Sequence, residues 1–340
     1  MSERGVPGQA MLEVDDLRVQ IATRRGIVRA VDGVSLEVEA GEAVGLVGES
    51  GSGKSMTLRA ILGVLPPEAT ITSGRVVLDG ADLVELPRAQ LNKIRGPKIA
   101  MIFQEPMSAL NPVMRVGPQI AEGPQVHLGM NRARAAERAV ELMRRVGIPD
   151  PERRFRSYPH EFSGGMRQRV MIAIALSCDP ELILCDEPTT ALDVTIQDQI
   201  LRLLARLCRE SNTSLVFVTH DLPVVAQVCR QLAVMYAGQI VERGTVQDVL
   251  TRPCHPYTLG LVRSAPDVDH VRASLVPIPG APPSLVHPPA GCRFHPRCKF
   301  AEEDCTVTDP RLRMIDAHRS TACLHFERCL DELRTEGADR

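Results

Sequence analysis

The chain has 340 residues, 44% of them hydrophobic and 24% charged, a composition of folded globular material that excludes a disordered chain. Forty basic against 42 acidic residues leave a net charge of −2, and only 3% of residues are aromatic, so neither whole-chain attraction to nucleic acid nor base stacking is expected. The longest apolar run, residues 170–178, falls short of the roughly 20 that a membrane helix needs. The opening MSERGVPGQAMLEVDD shows no apolar core of a secretory leader.

In chain order, the apolar runs Leu12/Val14, Leu17/Val19/Ile21 and Val34/Leu36/Val38, punctuated by Gly26, Gly33 and Gly41, predict strands and turns. AVGLVG at 43–48 is continuously apolar and predicts a strand buried on both faces. A short strand is expected at 75–79. Between 131 and 147, Ala136, Val140, Met143 and Val146 recur at helical spacing, with Gly147 as the stop. Buried strands are expected at 181–186 and 214–220 with a helix at 195–210 between them, an order that implies a right-handed crossover and a parallel sheet. Six prolines in 276–290 predict a semi-rigid connector.

Residues 48–55, GESGSGKS, fit G-x-x-x-x-G-K-[ST] between a predicted strand and a predicted helix. A Gly/Ser-rich turn is the plainer reading of such an octapeptide, but the strand–helix setting favours a phosphate cradle. Gly48, Ser50, Gly51 and Gly53 let successive N–H groups face an anion, and Lys54 reaches the β- and γ-phosphates. Ser55 joins Mg²⁺, with Met56 opening the helix. Asp186 and Glu187 end the strand at 181–186, where the first carboxylate suits the Mg²⁺ shell and the second suits polarisation of an attacking water. At 162–169, FSGGMRQR places a second anion nest at the front of an apolar helix. One nucleotide does not need two such nests; two chains arranged head to tail do.

In this order the segments GESGSGKS, IFQEP with Gln104, FSGGMRQR, LILCDEP, Ala191-Leu192-Asp193 and VTHD with His220 resemble the ATP-binding cassette (ABC) ATPases over roughly residues 12–245. The resemblance implies an α/β P-loop fold: a RecA-like parallel-sheet core, an antiparallel β subdomain and an α-helical signature subdomain at about 106–170, within a cassette at 11–250. It implies that Glu187 is the general base and that His220 contacts the γ-phosphate. Gln104 touches Mg²⁺ and water and reports to a transmembrane partner. Ser163, Gly164, Gly165 and Gln168 clamp the ATP of the opposite subunit, and Asp193 lies at the dimer seam. One departure is the lack of the family's adenine-stacking aromatic before the loop, where TRRGIVRAVDG offers Arg25 as a substitute.

HPYTL at 255–259, the Pro-rich segment (251–290 in all) and GCRFHPRC resemble the C-terminal extension of oligopeptide/dipeptide-importer ATPases, with a Cys-rich region at 291–330. That implies an ATPase energising peptide uptake at the cytoplasmic face of the cell membrane. Its implied partners are two permease subunits, a second ATPase that is a paralogue or else another copy of this chain, and an external peptide-binding protein. Nickel-chelate import is a close alternative, and a soluble cassette acting on DNA or ribosomes a distant one. Cys292, Cys298, Cys305 and Cys323 lie in a C-x5-C-x6-C-x17-C pattern, and the resemblance implies a [4Fe–4S] cluster on them, with zinc or free thiols as alternatives. His295, His325 and Cys329 are further donors. Cys178, Cys185, Cys208, Cys229 and Cys254 are scattered on apolar patterns and are expected in the core.

Overall fold

A computed structural model describes residues 10–190, 192–264 and 277–338. Ala191 and Val276, which the motif and connector readings include, lie outside these residues. The chain divides into two compact units, one built from residues up to 12, 37–43 and 77–217, the other from 13–36, 44–76 and 218 onward.

In the first unit the strands run Ser214–Thr219, Leu182–Asp186, Ile99–Ile102 in spatial order. The last two are parallel, with Ile99 opposite Leu182 and Ile102 opposite Cys185. Every residue of Leu182–Asp186 is buried, as its unbroken apolar sequence demands. The predicted helices form at Arg132–Arg145 and Val194–Ser211. In the former, Asn131 caps the start by accepting from the Arg134 N–H (3.0 Å), and the chain leaves through Gly147 at φ +76°.

One local expectation is corrected in this unit, and one helix was not read from the sequence. The buried stripe of Arg132–Arg145 runs through Ala135, Ala139, Leu142 and Met143, rotated from the expected Ala136/Val140 line, which is only half-buried. Arginines at 132, 134 and 138 crowd the other side and turn the smaller alanines inward. Val116–His127 is a helix despite Gly117, Gly123 and Pro124, because tertiary packing overrides propensity there. A Cβ on Gly117 would stand 2.2 Å from the Phe155 ring, and one on Gly123 would stand 2.8 Å from Ser177 Oγ.

In the second unit, Ala43–Val47 is parallel to Gln231–Tyr236, which turns back antiparallel into Gln239–Thr245. The turn residues Ala237 and Gly238 have φ +47° and +87°, the left-handed pair that matches the twist of a tight hairpin. Ser320–Thr321 extends this sheet, with Thr321 opposite Glu242, and Arg313–Met314 pairs beyond it. The Cys-rich tail is thus woven into the sheet edge. A second sheet sets Ala10–Thr23 between Gly26–Glu39 and Ala69–Leu78. The last of these is longer than the short strand read at 75–79. Along Ala10–Thr23 the buried face slips phase between Val14 and Leu17, at Asp16 with φ +43°.

Residues 277–290 form neither helix nor strand, as their prolines require. They are docked, however, where a connector was expected: Leu285 O accepts the Arg29 N–H (3.0 Å) and Pro279 O accepts Arg297 Nε (2.7 Å). No described helix is long and apolar enough to cross a membrane.

Candidate active site

The phosphate loop leaves the buried strand Ala43–Val47 and enters the helix Lys54–Leu62. Gly53 stands at the helix N-terminus with φ +107°, and a Cβ there would lie 2.2 Å from Ala30 O. Only glycine fits both the conformation and the space. The first turn of the helix carries no acidic residue, so its partial positive charge remains available to an anion. Lys54 is buried and its Nζ donates to Gly48 O (2.7 Å) and Glu49 O (2.9 Å), which holds the ammonium inside the loop. In the same unit, His220 is exposed just past Ser214–Thr219, and Arg25 is exposed in the turn between Ala10–Thr23 and Gly26–Glu39.

In the first unit, Asp186 is buried at the end of Leu182–Asp186 and Glu187 follows at φ +43°. A left-handed conformation at a non-glycine residue costs about 1–3 kcal/mol and is tolerated where the surroundings impose it. The Thr190 hydroxyl donates to Glu187 Oε2 (3.0 Å), which fixes the carboxylate's direction. Gln104 is exposed on the loop after Ile99–Ile102.

Ser163 caps the helix Gly164–Ala175, its Oγ accepting from the Met166 N–H (3.3 Å). Gly165 sits so close to the helix Val194–Ser211 that a Cβ would reach Ile196 at 2.6 Å. Asp193 caps that second helix through the Ile196 N–H (3.0 Å), so Gly165 and Asp193 converge on one helix start. Gln168 is buried on the inner side of its helix, and among the described residues its Nε2 has no hydrogen-bond partner.

The model of the "ABC transporter" family matches residues 31–190, and that of the "Oligopeptide/dipeptide transporter, C-terminal region" matches 241–305. The chain is 48% identical over 317 residues to the oligopeptide transport ATP-binding protein OppD of Salmonella typhimurium, covering 93% of this chain and 94% of that one. The chain belongs to the ATP-binding cassette family, in its oligopeptide/dipeptide branch. It is also 51% identical over 294 residues to the dipeptide transport ATP-binding protein DppD of Lactococcus lactis subsp. cremoris, covering 86% and 84% of the two chains. Among solved structures it is similar to the ATP-binding cassette MJ0796, a dimer in a post-hydrolysis state bound to ADP and Pi, with a TM-score of 0.63 at 29% identity over 69% of this chain and 99% of that one. The cbiO1 cassette of Clostridium perfringens gives 0.61 at 26% identity over 71% and 90%.

Beyond the cassette's nucleotide residues, the tail forms a second candidate site. Cys292, Cys298, Cys305 and Cys323 line one pocket with Phe294, Phe300, Leu324, His255, His295 and His325. Burial pushes the Cys298 thiol up to about 11 and the Cys323 thiol up to about 12, and raises Cys292 and Cys305 as well. Backbone N–H groups oppose that rise by donating to sulfur: Phe294 and His295 to Cys292, Phe300 to Cys298, and His325 to Cys323. The expected core cysteines, from Cys178 to Cys254, are all buried.

Sequence reasoning missed the residues that seat this tail. Glu242 is buried, accepts the N–H groups of Cys254 (2.7 Å) and His255 (2.9 Å), and is pushed up to about 7 by desolvation. His255 is fully enclosed and held down to about 3 by burial, so it is neutral, with Nδ1 accepting the Tyr257 N–H (3.1 Å). Arg293 reaches Asp32 and Ala237 O, and Arg297 reaches Glu49. The available signal was an acidic residue inside an anion-binding loop, together with two arginines interleaved with the cysteines of GCRFHPRC.

Proposed function

We propose that this chain is the ATP-hydrolysing subunit of a bacterial importer of di- and oligopeptides, peripheral to the cell membrane through two permease subunits. It is paired there with a second cassette and served by an external peptide-binding protein. The supporting observation is that similarity to peptide-transport ATP-binding proteins runs through the cassette and the C-terminal extension alike. In this reading residues 11–250 form the cassette with its helical subdomain near 106–170, 251–290 the linking segment and 291–330 the metal-binding region.

Ser55, Gln104 and Asp186 would hold Mg²⁺, since hydroxyl, amide and carboxylate oxygens suit a hard cation. The ion supplies charge neutralisation at the phosphates. Lys54 and the N–H groups from Gly48 to Met56 bind the phosphates, Glu187 takes the proton of the attacking water, and His220 and Gln104 hold the geometry. Arg25 takes the place of an adenine-stacking aromatic. Ser163, Gly164 and Gly165 engage the nucleotide of the paired cassette, with Asp193 at the seam. Peptide uptake by a strain lacking this gene is expected to be lost and restored by the wild-type copy. Restoration of nickel-chelate uptake but not peptide uptake would overturn the solute class.

The tail is the proposed seat of a [4Fe–4S] cluster on Cys292, Cys298, Cys305 and Cys323. Four sulfurs in one apolar pocket, met by backbone N–H donors, fit such a group. The cluster would supply a covalent staple for a small segment. Zinc is the second reading, favoured by Asp304, Cys305 and His325, whose ligand atoms lie within 4.8 Å of one another. Anaerobic purification is expected to yield about four iron and four sulfide per chain, as that cluster requires. Zinc alone at one per chain would overturn it.

A further inference from the structure

The loop residue Glu49 is held from three sides. Its backbone N–H donates to Tyr257 Oη at 2.7 Å. Its carbonyl accepts Lys54 Nζ at 2.9 Å and the Ser52 N–H at 3.2 Å. Its carboxylate takes both arms of Arg297, Nη1 to Oε2 at 2.7 Å and Nη2 to Oε1 at 3.0 Å. Gly48 O, the other end of the peptide that carries the Glu49 N–H, accepts Lys54 Nζ at 2.7 Å. The 48–49 peptide plane is therefore fixed at both faces, one by the loop's own lysine and the other by the C-terminal extension.

The extension's two residues are themselves rigid. Tyr257 is fully buried, with its ring against Tyr236 (4.5 Å between centroids) and Phe294 (5.5 Å). The Arg297 side chain is 5% exposed, donates Nε to Pro279 O and lies over both Tyr236 and Phe294. A second strut runs beside it. Arg293 grips Ala237 O and Asp32, and the next residue of that turn, Gly238, donates its N–H to Ser52 O at 2.8 Å. Mere docking of a tail needs apolar contact; it does not need a bidentate arginine and a tyrosine hydroxyl spent on one residue of the phosphate loop.

We propose that Tyr257 and Arg297 are positioning residues of the nucleotide site: through Glu49 they hold the phosphate loop with its N–H groups facing the nucleotide, making the C-terminal extension part of the ATP-binding apparatus. The inference rests on residues 48–55 binding nucleotide phosphates. Without the brace only the loop's own contacts from Lys54 and Ser52 hold the 48–49 peptide, and binding must restore the rest of its orientation each time.

The test is calorimetric titration of the full-length chain with MgATP, alongside thermal unfolding without nucleotide. Tyr257→Phe keeps the buried ring and deletes only the acceptor; Arg297→Gln deletes the fork. Each is expected to weaken MgATP binding about tenfold, the scale of one lost polar contact. The double variant should fall short of the product of the two, because both act through Glu49. Lys299→Gln, in the same segment but paired outward with Glu332, should bind like wild type. Unchanged affinity in Tyr257→Phe and Arg297→Gln, with only a lowered melting temperature, would overturn the proposal and leave the extension merely docked. A wild-type chain that binds no MgATP would overturn the nucleotide reading itself, and the proposal with it.

Discussion

Replacing Glu187 by Gln is expected to lower steady-state ATP turnover by at least about 10²-fold while MgATP binding persists, the signature of a lost general base. The structure gives the reason for expecting a clean result. Glu187 follows a wholly buried strand and is held at φ +43°, with Oε2 oriented by the Thr190 hydroxyl. Glutamine has the same length and still offers Thr190 an oxygen, so shape and loop conformation survive while the proton acceptor is lost. Phosphate release and nucleotide binding measured on one preparation separate the two effects. Near-normal turnover would remove Glu187 from the role. Thr190→Val, which removes the hydroxyl's contacts to the Glu187 carboxylate and carbonyl but keeps the carboxylate itself, should have a smaller effect.

The second large effect is expected at Gly53, where alanine should weaken MgATP binding by more than about 10²-fold. Its φ of +107° is unsuited to an L side chain, and the added Cβ would meet Ala30 O at 2.2 Å, a backbone atom that no rotamer change can move. Gly51 is the internal comparison. It is also left-handed, at φ +80°, but nothing lies within 4 Å of its would-be Cβ. There alanine incurs only the conformational cost of about 1–2 kcal/mol, roughly tenfold. Equal losses at the two positions would mean that the loop is not shaped as described.

What could be read from the sequence was what is local. The strand, loop and helix around residues 43–62 follow from an apolar run, a glycine spacing and a helix start within twenty positions, and Ser163 announces its own helix by capping it. The place of Asp186 and Glu187 at a strand end was legible because the apolar run at 182–185 gives way there to two acids and a proline. Four features were not legible. The inward turn of Gln168 depends on what packs against its helix, which periodicity with alanines and methionine on several sides does not reveal. The phase slip at Asp16 needs only one residue, below the resolution of an alternating pattern. The Glu49–Arg297 pair joins positions 248 apart, and nothing near either residue specifies the other. The cysteine spacing grouped four thiols without showing that His255, far upstream, shares their pocket.

That long separation has a consequence for how the protein is made. Ribosomes release the N-terminal end first, at about 5–20 residues per second. The phosphate loop is complete in sequence by residue 55, yet its supporting tyrosine arrives 208 positions after Glu49 and its arginine 248 positions after. A nascent cassette therefore carries an unbraced loop for most of its synthesis and gains its final form only as the Cys-rich tail emerges. A message cut short in the Pro-rich segment would yield a chain with every nucleotide motif present and a loop still lacking its guanidinium brace.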